Sequence, residues 1–135
     1  MPGPLSPYQM LDTPALLIDH DVLIRNIADM QHRADAFGVS LRPHTKTHKC
    51  PEIAQMQLDA GAVGIAVAKL SEAEAMADAG IQDIFIANEI VGEQKLARLR
   101  RLCERAALSF GADSVPALAQ IERAFAGAAQ PAHVL

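Results

Sequence analysis

The sequence predicts an α/β fold in which consecutive βα units lay down a parallel sheet, and three observations carry that expectation. Apolar runs of strand length begin near residues 39, 63, 83, 107 and 132, so they recur at intervals of 20 to 25 residues. A helical pattern fills every interval, through apolar residues spaced three or four apart or through capping residues. Glycines close the helical stretches at Gly38, Gly61 and Gly80. Alternation of this kind builds parallel sheets with right-handed crossovers. A solenoid of similar period is set aside because no asparagine or leucine ladder recurs at fixed offsets. A barrel and an open doubly wound sheet both remain. The chain supplies four units and the first residues of a fifth strand, whereas a closed barrel needs eight strands over roughly 250 residues.

Each element has a local reason. Residues 1–12 hold three prolines and a glycine, which favours an irregular arm over a helix. PALLID, residues 14–19, is an apolar run of strand length, after which Asp19 or Asp21 can cap a helix over about 21–37. Ile24, Ile27, Met30, Ala34 and Phe37 would share its buried face, with Arg25, Asp29, Arg33 and Asp35 turned outward. VSLRPHTK, residues 39–46, reads as a strand, although Pro43 has no N–H to give a ladder. Pro51 suits the first turn of a helix that ends at Gly61. VGIAVA (63–68) is an unbroken apolar strand, and Ser71 with Glu74 forms a capping-box pattern at the head of the next helix. DIFIAN (83–88) is a strand, and a helix over 93–105 sets Leu96, Leu99 and Leu102 on one side. ALSFGAD (107–113) is a weaker strand, 114–127 a further helix, and AHVL the start of a last strand.

Composition narrows the function classes. The chain has 135 residues, 50% of them hydrophobic and 21% charged, with a net charge of −4. That is a soluble globular composition rather than a disordered one, and it lacks the basic field with which nucleic acid or an anionic membrane is usually met. No nucleic-acid or membrane partner is expected. Cys50 and Cys103 are far apart and form no Cys-x-x-Cys pair, which suggests neither a disulfide framework nor a cysteine zinc site. With no secretion signal and no apolar run of spanning length, a cytoplasmic location is expected.

Against this background LRPHTKTHKC, residues 41–50, is a local exception, with one arginine, two lysines and two histidines in ten positions. Side chains alternate along a strand, so Arg42, His44 and Lys46 should share a polar face. Lys46 stands at the C-terminal end of that strand, the rim where parallel α/β folds build their sites. Burial and the neighbouring cations would favour its neutral form, making it an amine nucleophile for carbonyl compounds, pyridoxal 5'-phosphate (PLP) above all. The bland alternative is an edge strand with its polar face in water. His44 and His48 lie four apart, yet Pro43 makes a shared helix face, and hence a metal pair, doubtful. No phosphate-cradling glycine motif is present. Lys49 reads as a surface lysine, Cys50 as a small residue at a helix entry, and His20, His32 and His133 as ordinary surface or helix residues.

LDTPALLID, LRPHTKTHK, GIAVAKLSEAEAMADAGIQDI and ANEIVG, running in order between about Asp12 and Arg105, resemble the N-terminal part of the D-threonine aldolase and D-serine dehydratase family, PLP enzymes with an alanine-racemase-like barrel. The resemblance implies a partial (β/α)8 TIM-type barrel, with residues 13–135 as its N-terminal portion. The complete enzyme would add a C-terminal β domain. It further implies that Lys46 joins PLP through a Schiff base, that His44 lies beside the cofactor, and that the complete protein is a homodimer. A divalent metal (Mn, Mg or Zn) would be held by ligands outside this sequence. The expected activity is PLP-dependent lyase chemistry on small D-β-hydroxy amino acids. KCPEIA and ANEIVG favour the aldolases, whereas Thr47 in KTHK is the form more familiar in the dehydratases, and Ala68, where aldolases often carry glutamine, weighs against the aldolase. The aldolase is preferred, followed by a dehydratase of D-serine or D-threo-3-hydroxyaspartate, and then a PLP-binding protein without turnover. The 135-residue chain alone is expected to be inactive and poorly soluble, with an open sheet edge and a half-covered core.

Overall fold

A computed structural model describes residues 6–135. Its order is a short 3-10 turn (Pro7–Met10), α1 (His20–Ala36), α2 (Pro51–Asp59), β1 (Ile65–Val67), α3 (Leu70–Asp78), β2 (Asp83–Glu89), α4 (Glu93–Leu102), β3 (Ala107–Gly111), α5 (Val115–Phe125) and β4 (His133–Val134). The four strands are parallel and lie in the order β1-β2-β3-β4. A sequential order has no switch point, and the buried side chains Ile65, Val67, Ile84, Ile86, Leu108 and Phe110 all belong to the one face that the helices cover. Both features are those of a barrel wall rather than of a doubly wound sheet, which carries helices on both faces. The fold is thus α/β, consistent with the partial TIM-type barrel expected from the sequence. The core is continuous: Leu70, Ala73 and Met76 of α3 and Leu96, Leu99 and Leu102 of α4 close over the covered face, with Ile121 of α5 at its far end.

Helix signals held where they were local. Asp19 is the N-cap of α1 and accepts from the Val22 N–H at 3.0 Å. Ser114 caps α5 in the same way. Gly38 (φ 64°) and Gly80 (φ 96°) take the left-handed backbone that follows α1 and α3.

Several expectations are corrected. Residues 14–19 form no strand: they make no sheet hydrogen bonds among the described residues, and Leu16 is 95% exposed. An apolar run becomes a strand only beside a free edge, and nothing pairs with this one. The strand expected over 39–46 shrinks to a single bridge, His44 to Ala66. Pro43 is the reason: its carbonyl accepts from the Ala66 N–H (2.7 Å), but it has no N–H to continue the ladder. The inward face of α1 is Leu23, Ile27, Gln31 and Ala34, so Ile24, Met30 and Phe37, the last 83% exposed, turn outward. The Ser71–Glu74 capping box does not form; the N-cap of α3 is Lys69, two residues earlier, with no side-chain cap bond, and Glu72 in the first turn accepts from the Ala68 N–H at 2.8 Å. Helix α4 stops at Leu102 rather than 105. Within the expected irregular arm, Ser6 and Gln9 build a capping box around the 3-10 turn; residues 1–5 lie outside the described residues.

Candidate active site

The face of the sheet opposite the helices is laid out in rows by strand register. His44 bridges Ala66, which pairs with Phe85, then Ser109, then His133. One pleat earlier come Arg42, Gly64 and Asp83, the last paired with Ala107. The alternation expected of Arg42 and His44 is therefore found on the open face, even though the segment is barely a strand.

The lower row is filled by an ion pair. Arg42 Nη1 donates to Asp83 Oδ1 at 2.8 Å and reaches the Ile65 carbonyl at 3.4 Å. The guanidinium lies directly over Gly64, where a Cβ would stand 2.2 Å from Nη1 and 2.9 Å from Asp83 Cγ. Arg42 is thus neutralised by a partner 41 positions away rather than left as a free cation beside Lys46.

Above it, the chain is bolted to β1 by Thr45. Its backbone N–H (2.8 Å) and its hydroxyl (3.3 Å) both donate to the Ala66 carbonyl, and its side chain is buried among the helix-facing residues. Lys46 follows in a turn, exposed at the rim. The burial expected for it is not found in this chain, because Lys46 stands one residue past the last ladder bond. Its backbone N–H donates to His44 Nδ1 at 3.2 Å, which leaves the proton of a neutral ring on Nε2. Burial, and after it the Lys46 ammonium, push the His44 pKa down, while Glu72 pulls weakly the other way. His44 is therefore a neutral donor at neutral pH, and it too adds no positive charge beside Lys46.

His48 Nδ1 accepts from the Cys50 N–H at 3.1 Å, its Nε2 is buried with no hydrogen-bond partner among the described residues, and burial pushes its pKa down. Among the described residues no three His, Cys, Asp or Glu side chains are placed to hold a metal ion. Cys50 is the residue at the entry of α2 that the sequence suggested, its thiol donating to Glu52 Oε2 at 3.0 Å. Lys49 is exposed, as expected of a surface lysine, and its Nζ lies 3.4 Å from Glu72 Oε1. Glu72 keeps its carboxyl below the usual range, since the Ala68 N–H, Lys49 and Lys69 outweigh the opposing effect of burial. Asn88 Nδ2 donates to the Ala68 carbonyl at 3.2 Å. Sequence reasoning missed Gly64, Glu72, Asp83 and Asn88 as parts of the rim and its floor. Only the parity of Gly64 and Asp83 with Arg42 could have suggested the first and third.

Comparison with known proteins matches residues 18–135 to the family model for the alanine racemase N-terminal domain. The chain is 46% identical over 132 residues to the D-threonine aldolase of Arthrobacter sp, covering 98% of this chain and 35% of that protein. It is 48% identical over 110 residues to the D-threo-3-hydroxyaspartate dehydratase of Delftia sp. (strain HT23), covering 79% and 28% of the two. The crystal structure of the D-threonine aldolase from Filomicrobium marinum superposes with a TM-score of 0.89 at 44% identity, over 92% of this chain and 34% of that one. The chain thus spans about a third of the length of the relatives it matches.

Proposed function

The chain belongs to the alanine racemase N-terminal domain family, and from that premise we propose that the protein carrying it is a PLP-dependent lyase of D-β-hydroxy amino acids, cleaving the Cα–Cβ bond to give glycine and an aldehyde. The observation that carries the proposal is the place of Lys46. It is a primary amine at the C-terminal rim of the open sheet face, in the turn two residues after His44, in a chain 98% of which matches a D-threonine aldolase.

The residues present fit the aldehyde end of PLP. Lys46 is the amine that would hold it, and the His44 row beside it carries the small Ala66 and then Phe85. Neutral His44, with its free N–H at Nε2, is the neighbour able to donate to a polar edge without adding charge. When bound, PLP supplies an electron sink for the charge left on Cα as a bond to it breaks. The Arg42–Asp83 pair occupies the same face one pleat below. The described residues offer no ligand set for a divalent metal, so no step is drawn through one. Residues 13–135 would be the N-terminal portion of the barrel. Homodimeric assembly and a cytoplasmic location belong to the same proposal, on resemblance and composition.

A second reading, elimination rather than cleavage, is favoured by the 48% identity to the dehydratase and by Thr47. Two measurements test the set. PLP added to the full-length protein should produce a visible absorbance band that borohydride fixes as an adduct on Lys46, and Lys46→Ala should lose both; an adduct that survives in Lys46→Ala overturns the assignment. D-threonine should then yield glycine and acetaldehyde. Formation of 2-oxobutanoate with no acetaldehyde assigns the dehydratase instead.

A further inference from the structure

We propose that the Lys49–Glu72 ion pair is the positioning element that holds the 45–49 turn, and with it Lys46, in a single presentation at the rim; the inference deepens the reading of Lys46 as the cofactor-holding amine and rests on it.

Four observations converge. Lys49 is the only non-glycine among the described residues with a positive φ, 51°. L-residues visit that region infrequently, and one persists there when its surroundings hold it. Its backbone N–H donates to the Thr45 carbonyl at 2.8 Å, closing the turn onto the residue that is itself bonded twice to Ala66. Its ammonium reaches Glu72 Oε1, while Glu72 Oε2 accepts from the Ala68 N–H at 2.8 Å. The Glu72 side chain is only 11% exposed, so this carboxylate has largely left water and depends on these two partners. Asn88, at the end of β2, holds the other side of the same residue through the Ala68 carbonyl.

The loops that follow segment 41–45, β1 and β2 are therefore stitched together around Ala68, and Lys49 is the stitch from the first loop. Lys46 has no such fastening of its own. Its backbone N–H goes to His44, and its position is otherwise inherited from the turn ends at Thr45 and Lys49. Two fixed ends separated by three residues leave Lys46 little room. Release of the Lys49 end would let the amine sample many directions, and a reacting group displaced by even an ångström loses much of its rate.

The test uses the full-length protein and the variants Lys49→Met, Glu72→Gln, their double, Lys49→Arg and Lys49→Gly. Glu72→Gln keeps an oxygen for the Ala68 N–H and removes only the charge. Lys49→Gly relieves the positive φ while removing the ammonium, which separates backbone strain from the ion pair. Three readouts are taken: amide hydrogen exchange over residues 45–50, the rate at which borohydride-fixed PLP accumulates on Lys46, and the melting temperature. Lys49→Met and Glu72→Gln should each speed exchange in the turn and slow capture on the order of tenfold, as expected for a misplaced reacting group. The double should be no worse than the worse single, as for residues acting as one pair. Lys49→Arg should restore most of the capture rate, and Lys49→Gly should slow capture without lowering the melting temperature. Additive losses in the double, or exchange that stays at the wild-type level in Lys49→Met and Glu72→Gln, would overturn the inference. Should the wild type itself fail to capture PLP while exchange still rises in both variants, the reading of Lys46 falls and the positioning pair stands.

Discussion

Alanine at position 64 puts a methyl group where the Arg42 guanidinium now lies. The backbone raises no objection, since Gly64 does not use a positive φ, and on that ground alone Gly→Ala stabilises by about 0.4–1 kcal/mol through the unfolded chain. Space is the obstacle, because the new Cβ would sit 2.2 Å from Arg42 Nη1, 2.9 Å from its Cζ and 2.9 Å from Asp83 Cγ. The guanidinium must swing away, which breaks the 2.8 Å bond to Asp83. That pair is partly solvated, with Arg42 30% and Asp83 50% exposed, so its loss is screened and amounts to about 0.2–1 kcal/mol. Overpacking adds about 1–3 kcal/mol. The net expectation for Gly64→Ala is a loss of about 2 kcal/mol, read as a lower denaturant midpoint at an unchanged slope. The same substitution in an Arg42→Ala background should cost much less, because the guanidinium has gone and the half-exposed Asp83 carboxylate, still 2.9 Å from the new Cβ, is free to rotate away. Equal losses in both backgrounds, or none in the wild type, would refute the reasoning that Gly64 is small to make room for Arg42.

Two further outcomes follow from the packing and the charges. Phe110 is fully buried and stacks on Phe125 with ring centroids 6.4 Å apart, so Phe110→Ala should lose about 3–5 kcal/mol by denaturant titration, and Phe110→Leu distinctly less. Arg98 ties α4 to α3 by donating to Glu74 through Nε at 2.9 Å and through Nη2. The Arg98 hydrogen bond holds the Glu74 carboxyl below its usual range although burial pushes the other way. A carboxyl depressed in the folded state contributes stability in full above its unfolded value of about 4.3 and loses it as pH falls through the folded value. The stability gap between wild type and Arg98→Leu should therefore be widest near neutral pH and close in acid. A gap that stays constant down to about pH 3 would show that the pair contributes by packing alone.

The sequence by itself determined what is local. Asp19 caps α1, Ser114 caps α5, Pro51 opens α2, and Gly38 and Gly80 follow helix ends, because each acts on backbone groups within a few positions of itself. The period of 20 to 25 residues announced the parallel sheet, and four of its apolar runs became β1 to β4. Even the parity that set Arg42 and His44 on one face survived the loss of a regular strand, since a single bridge at His44 is enough to fix alternation. Only the tertiary structure decided partners. PALLID has a strand's composition but no neighbour to bond, and helix α1 buries the Leu23–Gln31 side because that is where α2 lies. Arg42 finds Asp83 across 41 positions, and Lys49 finds Glu72 across a helix and a strand. Those meetings depend on how strands register beside one another, and register is a property of the assembled sheet that no short window of residues contains.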